Sequence, residues 1–179
     1  MIKHKNQRVG VFVDVQNMYY SAKNLFHAKV NFGAILKAAV GERELIRALA
    51  YVIKASAPEE QSFFEALDKQ GFELQMKDLQ VFYGGHKKGD WDIGMAVDAI
   101  RLADRLDAVV LVTGDGDFAP LIDYLKYNRG CQVEVMAFTE SASSSLKELA
   151  DEFTDLSGNR QRFLMKKMAR MARKIKTTK

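Results

Sequence analysis

Three aspartates stand where apolar segments end, an arrangement that suits metal-dependent chemistry. Asp14 closes the run at residues 9–14, and Asp115 and Asp117 follow the run at residues 109–113. If both runs are neighbouring parallel strands, their carboxyl ends meet at one edge of a sheet and these side chains converge. Converging carboxylates raise one another's pKa unless a cation compensates, and their hard oxygen atoms suit Mg²⁺ or Mn²⁺.

A further segment adds Asp92, which opens a helical pattern, and Asp98 six residues later. Six residues turn about 240° around a helix axis, so these two carboxylates would not share one helical face. Asp98 therefore has an alternative role as the surface ion-pair partner of Arg101 or Arg105. Asp92 and Asp117 each have an alternative role as helix caps, and both interpretations stay open.

The elements that must position these acids are predicted from short runs rich in Val, Ile, Phe and Tyr. The predicted strands cover residues 9–15, 49–53, 79–83, 108–113 and 131–136. Between them lie helical patterns, one ending at Gly41 and another at Gly130, positions typical of helix C-termini. A third apolar stripe consists of Ile93, Ala96, Val97, Ile100 and Ala103. Alternation of strands and helices predicts an α/β fold with a largely parallel sheet covered on both faces.

Length and composition bound the class of protein. The 179 residues, 47% of them hydrophobic, predict one compact domain with room for one appendage, and the only cysteine is Cys131. A single cysteine excludes an internal disulfide framework and a thiolate zinc cluster. The polar, basic N-terminus and the lack of an apolar run of about 18 residues predict neither an export signal nor a membrane span, so we expect a cytoplasmic protein.

Positive charge is concentrated at the C-terminus. The last twenty residues contain nine basic side chains and no acid, so the rest of the chain carries a net charge of −5. An apolar stripe runs through the same segment: Leu164, Met168, Met171 and Ile175. We expect residues 159–179 to form a basic amphipathic helix that attracts a polyanion through its charges and docks on the body, a protein partner or a second copy through its stripe. A solvated terminal helix is the alternative.

Three segments taken together, residues 12–17, 88–99 and 112–122, strongly resemble the NYN domain, in the LabA-like branch of the PIN-like nuclease superfamily. The resemblance spans about residues 8–156 and includes the order, spacing and flanking strands of the motifs. It implies a Rossmann-like three-layer α/β/α sandwich with a mostly parallel central sheet over residues 1–158. It also implies a metal-dependent ribonuclease site in which acids on adjacent strand ends bind Mg²⁺ or Mn²⁺.

The resemblance assigns roles to individual positions. The acids expected in the catalytic and metal site are Asp14, Asp92, Asp115 and Asp117, with Asp98 as a further metal-site member. Asn17 would orient the acids, although as a residue it also suits the cap of the first helix. Thr113 would contribute local hydrogen bonding. Trp91 departs from the family pattern, which has an aliphatic residue there, and we expect it to pack rather than to stack on a base.

Basic residues near the motifs are candidates for RNA contact. Those of the loop before Asp92 are Lys87 and Lys88, and those of the tail are Arg160, Arg162, Lys166 and Lys167. The expected partner is single-stranded RNA, whose phosphates these side chains would neutralise. A solvated basic loop explains the first pair nearly as well.

Three functions follow from these observations. The first is a metal-dependent ribonuclease that hydrolyses phosphodiester bonds, and the second is a non-catalytic RNA-binding or regulatory module with the same fold. The third is a phosphatase of the haloacid dehalogenase type, because residues 114–117 loosely resemble its metal-binding loop. That chemistry requires an acid two residues after the nucleophilic Asp14, where this chain has Gln16, so the third is disfavoured.

Overall fold

The computed structural model describes residues 3–54, 60–81, 87–88 and 90–165. Its central sheet consists of β1 (Arg8–Asp14), β2 (Glu44–Lys54), β3 (Glu73–Asp78), β6 (Ala108–Val112), β7 (Gln132–Ala137) and β8 (Glu152–Asp155). All neighbouring strands of this sheet are parallel, in the order β3-β2-β1-β6-β7-β8. A separate antiparallel ribbon pairs β4 (Gln80–Val81) with β5 (Lys87–Lys88).

Helices cover both faces of the sheet. They are α1 (Val15–Phe26), α2 (Phe32–Val40), α3 (Glu60–Lys69), α4 (Asp92–Leu102), α5 (Ala119–Arg129), α6 (Ser144–Leu149) and α7 (Arg160–Phe163). Side chains alternate along β1, so Val11 and Val13 pack with α1, α2, α3 and α7, whereas Phe12 packs with α4, α5 and α6. The predicted three-layer α/β/α architecture with a parallel sheet is confirmed.

Strand order determines where a ligand cleft can form. The chain leaves β1 toward β2 and β3 on one side, and then returns to the other side of β1 with β6. The connections on the two sides of β1 therefore diverge, and a crevice opens beyond the carboxyl ends of β1 and β6. Asp14 is the last residue of β1, and Asp115 follows β6 by three residues.

The predicted strand at residues 79–83 is wrong as a member of the central sheet. The edge position belongs to β3, whose side chains are mostly exposed, while residues 80–81 pair in the small ribbon. The four-residue β8 at the opposite edge was not predicted either. Both edge strands are short and polar, so neither carries the apolar run that reveals a buried strand.

The C-terminal segment begins as part of the body. Helix α7 ends at Phe163, and Leu164 is extended and forms a bridge with Val30. Phe163 and Leu164 are both buried against the core. Packing therefore continues past residue 158, the expected domain boundary, and Leu164 does not open the amphipathic stripe predicted for the tail. Residues 166–179, with Lys166 and Lys167, lie outside the described residues.

In the described ranges, no helix has both the length and the apolar character that crossing a membrane requires.

Candidate metal centre

Three carboxylates form a compact group at the carboxyl edge of the sheet. Asp92 is the first residue of α4, whereas Asp115 and Asp117 belong to the turn that connects β6 with α5. One oxygen atom from each of these side chains lies within 4.8 Å of the other two. Asp92 and Asp115 are partly buried, and Asp117 is exposed. Residues 23 positions apart in the chain thus present their oxygen ligands to one point.

Asp14 lies in the wall of the same cleft, together with Asp92 and Asp115, but outside the compact group of three. Its carboxylate accepts a hydrogen bond from the backbone N–H of Asn17 at 2.9 Å and so caps α1. Burial, together with the nearby charges of Asp92 and Asp115, raises the pKa of Asp14 to about 6 against the effect of the backbone donors.

Acidic side chains dominate the electrostatics of the described part of the cleft. Burial is the largest of the causes that raise the pKa of Asp92. The charges of Asp115, Asp90 and Asp117 also raise this pKa, whereas the charge of Lys77 lowers it. Within the described ranges, the side chains that line the cleft include no lysine or arginine. Carboxylates that face one another without a counter-charge are the donor set that a hard divalent cation prefers.

The turn after β6 is held by hydrogen bonds from both of its sides. Asp115 donates its backbone N–H to Thr113 Oγ1 at 3.2 Å, and Asp115 Oδ1 accepts from the backbone N–H of Asp117 at 3.0 Å. Asn17 Oδ1 accepts from the backbone N–H of Gly114 at 3.0 Å. Asp14 caps α1 and Asp115 caps the turn, so the expected capping by Asn17 and the alternative for Asp117 as a cap are both wrong.

A loop covers this turn closely because position 114 is glycine. The carbonyl oxygen of Gly114 accepts from the backbone N–H of Ser143 at 3.0 Å. A Cβ atom at Gly114 would lie 3.1 Å from the carbonyl oxygen of Ser141 and 3.2 Å from Ala142 Cα. Backbone atoms at those distances have little room to move, so any side chain here would displace the turn or the loop.

Asp98 takes a place behind the cleft instead of joining the compact group. Its Oδ2 accepts from the hydroxyl of Tyr51 at 3.1 Å, and its Oδ1 lies 3.9 Å from Arg101 Nη1. Tyr51 lines the cleft and is paired in register with Asp14 across β2 and β1. Burial and the charge of Asp98 raise the pKa of Tyr51 well above its usual range, which keeps the phenol protonated. Asp98 thereby orients Tyr51 in the floor of the cleft.

Trp91 holds the loop that leads into α4. Its indole N–H donates to the carbonyl oxygen of Val52 at 3.0 Å, and its ring lies 5.5 Å from that of Tyr51. Lys77 places its Nζ 5.6 Å from the Trp91 ring and donates to the carbonyl oxygen of Asp90. The ring is thus packed, as the sequence analysis expected, and it fixes the start of the helix that presents Asp92.

The described basic candidates for RNA contact are not brought to the cleft. Arg160 lies 3.8 Å from Glu140 and 4.5 Å from the ring centroid of Phe26, and Arg162 lies over Phe163. Lys87 and Lys88 pair through their backbone in β5, and their side chains are outside the described part of the chain.

The remaining wall of the cleft is one face of α1. It consists of Gln16, Asn17, Tyr20, Ser21, Asn24 and Leu25. The cleft has a volume of about 380 Å³. Of these residues, only Asn17 was assigned to the site from the sequence. The others recur every three to four positions along α1, which is the spacing of one helical face.

Comparison with known proteins agrees with this fold. A family model described as the NYN domain matches residues 8–157. A curated relative, the "Low amplitude and bright protein LabA" of Synechococcus elongatus, is 26% identical over 157 residues, which cover 84% of each chain. A crystal structure of the protein of unknown function VPA0982 from Vibrio parahaemolyticus superposes with a TM-score of 0.83 at 32% identity, covering 92% of this chain and all of that one.

Proposed function

Since the chain belongs to the NYN domain family, we propose that it is a metal-dependent ribonuclease that hydrolyses RNA phosphodiester bonds with Mg²⁺ or Mn²⁺. The observation that carries this proposal is the compact group of Asp92, Asp115 and Asp117 at the switch point of the sheet. Nucleases are general in this family, and an aspartate group with no lysine or arginine among the described side chains of the cleft wall supports the metal dependence.

The residues present fit a hard divalent cation. Asp92, Asp115 and Asp117 would hold it, and Asp14 lines the same cleft. A bound ion would polarise the phosphodiester and lower the pKa of its water. In the described part of the chain, the cleft wall includes no histidine, so the carboxylates are the groups that orient the water and the phosphate.

The surrounding residues hold these carboxylates in place. Asn17 ties α1 to the turn after β6, and Thr113 orients the backbone of Asp115. Tyr51 remains protonated because it is buried and because its hydroxyl donates a hydrogen bond to the charged Asp98. Such positioning matters because an error of about 1 Å in the placement of reacting groups can cost about 100-fold in rate.

The direct test is cleavage of a labelled single-stranded RNA in Mn²⁺ and in Mg²⁺. Replacing a metal ligand should cost more than the roughly 10- to 100-fold that loss of an outer-sphere partner costs, so we expect Asp92→Asn and Asp115→Asn to lose more than about 100-fold of the activity. The matched control is Asp123→Asn, an exposed aspartate of α5 outside the cleft wall, which should cleave like the wild type.

Cleavage that EDTA abolishes and that excess Mn²⁺ restores would support the ion requirement. Full activity in both Asp92→Asn and Asp115→Asn would overturn the assignment of the site. Tight RNA binding that survives both substitutions, with no metal-stimulated cleavage by any variant, would favour the non-catalytic RNA-binding module instead.

A further inference from the structure

The wall of the cleft on α1 differs in chemistry from the acidic floor. Its residues follow helical spacing from Gln16 to Leu25, and at about 1.5 Å per residue this face is about 13 Å long. It starts next to Asp14 and extends away from the carboxylates. In α1 the only charged residue is Lys23. The cleft therefore has an acidic end, suited to a cation and a phosphate, and a neutral wall beside it.

An aromatic ring is exposed in this wall. Tyr20 is 50% exposed although it lines a concave surface, and Leu25 is 38% exposed on the next turn. The Tyr19 ring meets the Tyr20 ring edge-on, with centroids 5.4 Å apart, and supports it from the side. A supported but uncovered ring in a cleft offers a flat face to a planar ligand.

Two amide side chains in the wall are available for a ligand. Asn17 accepts from Gly114, and Ser21 accepts from Ser141, so both of these are engaged. By contrast, Gln16 and Asn24 make no side-chain hydrogen bond to any residue of the described ranges. An amide offers donors and an acceptor together, which matches the mixed donor and acceptor edge of a nucleobase.

We propose that the α1 wall is a nucleobase-binding subsite, in which one base of single-stranded RNA stacks on Tyr20 while Gln16 and Asn24 bond to base edges. The adjoining phosphodiester then lies at the carboxylate end of the cleft. This inference rests on the proposed function and gives a structural reason for a single-stranded substrate. The bases of a duplex are stacked and paired with each other, whereas an unpaired base can turn its face to Tyr20.

Binding of two RNA probes tests the subsite. The first is a fluorescein-labelled single-stranded octamer, and the second is an abasic octamer with the same phosphates. Fluorescence anisotropy is measured in Ca²⁺, with gels confirming that the probes remain intact. Stacking of one base accounts for a change in Kd of about 5- to 100-fold, so Tyr20→Ala should weaken binding of the first probe by that factor. Binding of the abasic probe should not change.

Controls separate stacking from a general effect on the fold. Tyr20→Phe keeps the ring and should bind both probes like the wild type. Tyr127→Ala removes a tyrosine of α5 that is 78% exposed and lies outside the cleft wall, and it should also leave both Kd values unchanged. Thermal unfolding of each variant verifies that it is folded. A hairpin RNA of the same length should compete less well than the single strand.

Several results would overturn the subsite. They are equal binding of the two probes by the wild type, an unchanged Kd in Tyr20→Ala, no measurable binding of the first probe, and equal competition by the hairpin. These outcomes are distinct from failure of the proposed function, which is read from the metal-dependent cleavage assay with Asp92→Asn and Asp115→Asn. Intact cleavage with an unchanged Kd in Tyr20→Ala would reject only the subsite.

Discussion

At the scale of single residues, Asp14 combines a structural role with an electrostatic cost. Its side chain caps α1 by accepting from the Asn17 backbone, yet burial and two neighbouring carboxylates oppose its charge. The cap needs only an acceptor oxygen, whereas a cation site needs the negative charge. Asp14 therefore stabilises the helix but destabilises the metal-free fold at neutral pH, as functional residues often do.

This conflict predicts that Asp14→Asn raises stability in EDTA. The pKa of Asp14 is about 6 in the fold against 3.8 as the ordinary value, so the fold binds this proton more tightly than the unfolded chain. The contribution of Asp14 to stability is then fully present below about pH 4 and is lost as the pH rises through 6. Asparagine keeps the acceptor without the charge, and at pH 7.5 we expect a free energy of unfolding that is about 1–3 kcal/mol higher.

Urea unfolding at pH 7.5 and pH 4, with the same variants in EDTA, measures this effect. The advantage of Asp14→Asn should shrink at pH 4, where the wild-type carboxyl is protonated in the fold. The Asp123→Asn variant controls for a general effect of removing a charge. An Asp14→Asn protein that is less stable than the wild type at pH 7.5 would contradict the electrostatic interpretation.

Sequence reasoning at this scale identified residue types better than residue contacts. Asp14, Asp92, Asp115 and Asp117 were selected by their place after strands and before helices, and the structure puts all four at one edge. The ion pair of Asp98 with Arg101 was predicted as an alternative and is present. The hydrogen bond from Tyr51 was not predicted, because Tyr51 is 47 residues earlier in the chain and only the packing of α4 on β2 brings the two side chains together.

At the scale of elements, the turn after β6 carries two of the acids and is held between α1 and the loop before α6. Glycine at position 114 permits this arrangement, because backbone atoms of Ser141 and Ala142 occupy the space that a side chain would need. The conformation of the turn therefore depends on a close approach and not on a left-handed backbone angle.

Gly114→Ala should accordingly lower the cleavage rate by more than its loss of folding stability would explain. The added methyl group must shift the turn or the loop by a few tenths of an ångström, and we expect cleavage to fall about 10- to 100-fold, as for loss of an outer-sphere partner. The control is Gly130→Ala at the end of α5, where φ is +68° and no atom lies within 4 Å of the added Cβ.

The control should lose about 1–2 kcal/mol of stability, because alanine is strained in the left-handed region, but should retain its cleavage rate. Unfolding and initial cleavage rates of both variants separate the two effects. Wild-type cleavage by Gly114→Ala would show that the close contact does not position the acids.

The orientation of α4 shows where periodicity alone fails. The stripe predicted to be buried includes Ile93 and Val97, yet these are 79% and 39% exposed, while Met95 and Ala99 are buried. Trp91 explains the difference, because its ring covers Gly94 so closely that a Cβ there would lie 2.5 Å from Cε3. Periodicity predicts that a face is apolar, but the neighbouring side chains decide which face packs.

At the scale of the whole molecule, the buried acidic side chains at the two ends of the sheet differ in the side chains around them. Near the amino ends of the strands, Glu134 is 3% exposed and bonds to Arg43 and Lys3, so its charge is compensated by the protein itself. At the carboxyl edge, the cleft wall in the described ranges includes no such cation. This contrast supports the proposal that a bound cation supplies the counter-charge at the carboxyl edge.

Deletion of residues 166–179 tests the role of the basic tail in RNA binding. The deletion removes seven basic residues and no acid, while Phe163 and Leu164, which pack on the core, remain. We expect an unchanged thermal midpoint and a shallower salt dependence of RNA binding. For single strands, each neutralised phosphate contributes about −0.7 to the slope of log K against log salt concentration, so losing phosphate contacts makes this slope less steep. Anisotropy titrations at several NaCl concentrations measure the slope. An identical slope would exclude phosphate contact by the tail.

The sequence by itself determined the α/β class and the acids that lie at strand ends, because apolar runs and the residues that end them are local properties of the chain. The family followed from the resemblance of three motifs, which are also local. Only the tertiary structure decided that Asp98 supports Tyr51, that Asn17 bridges to Gly114, and that one face of α1 forms the cleft wall. These contacts join segments tens of residues apart. They depend on strand order and on the angle at which each helix packs, and neither property can be deduced from a local sequence pattern.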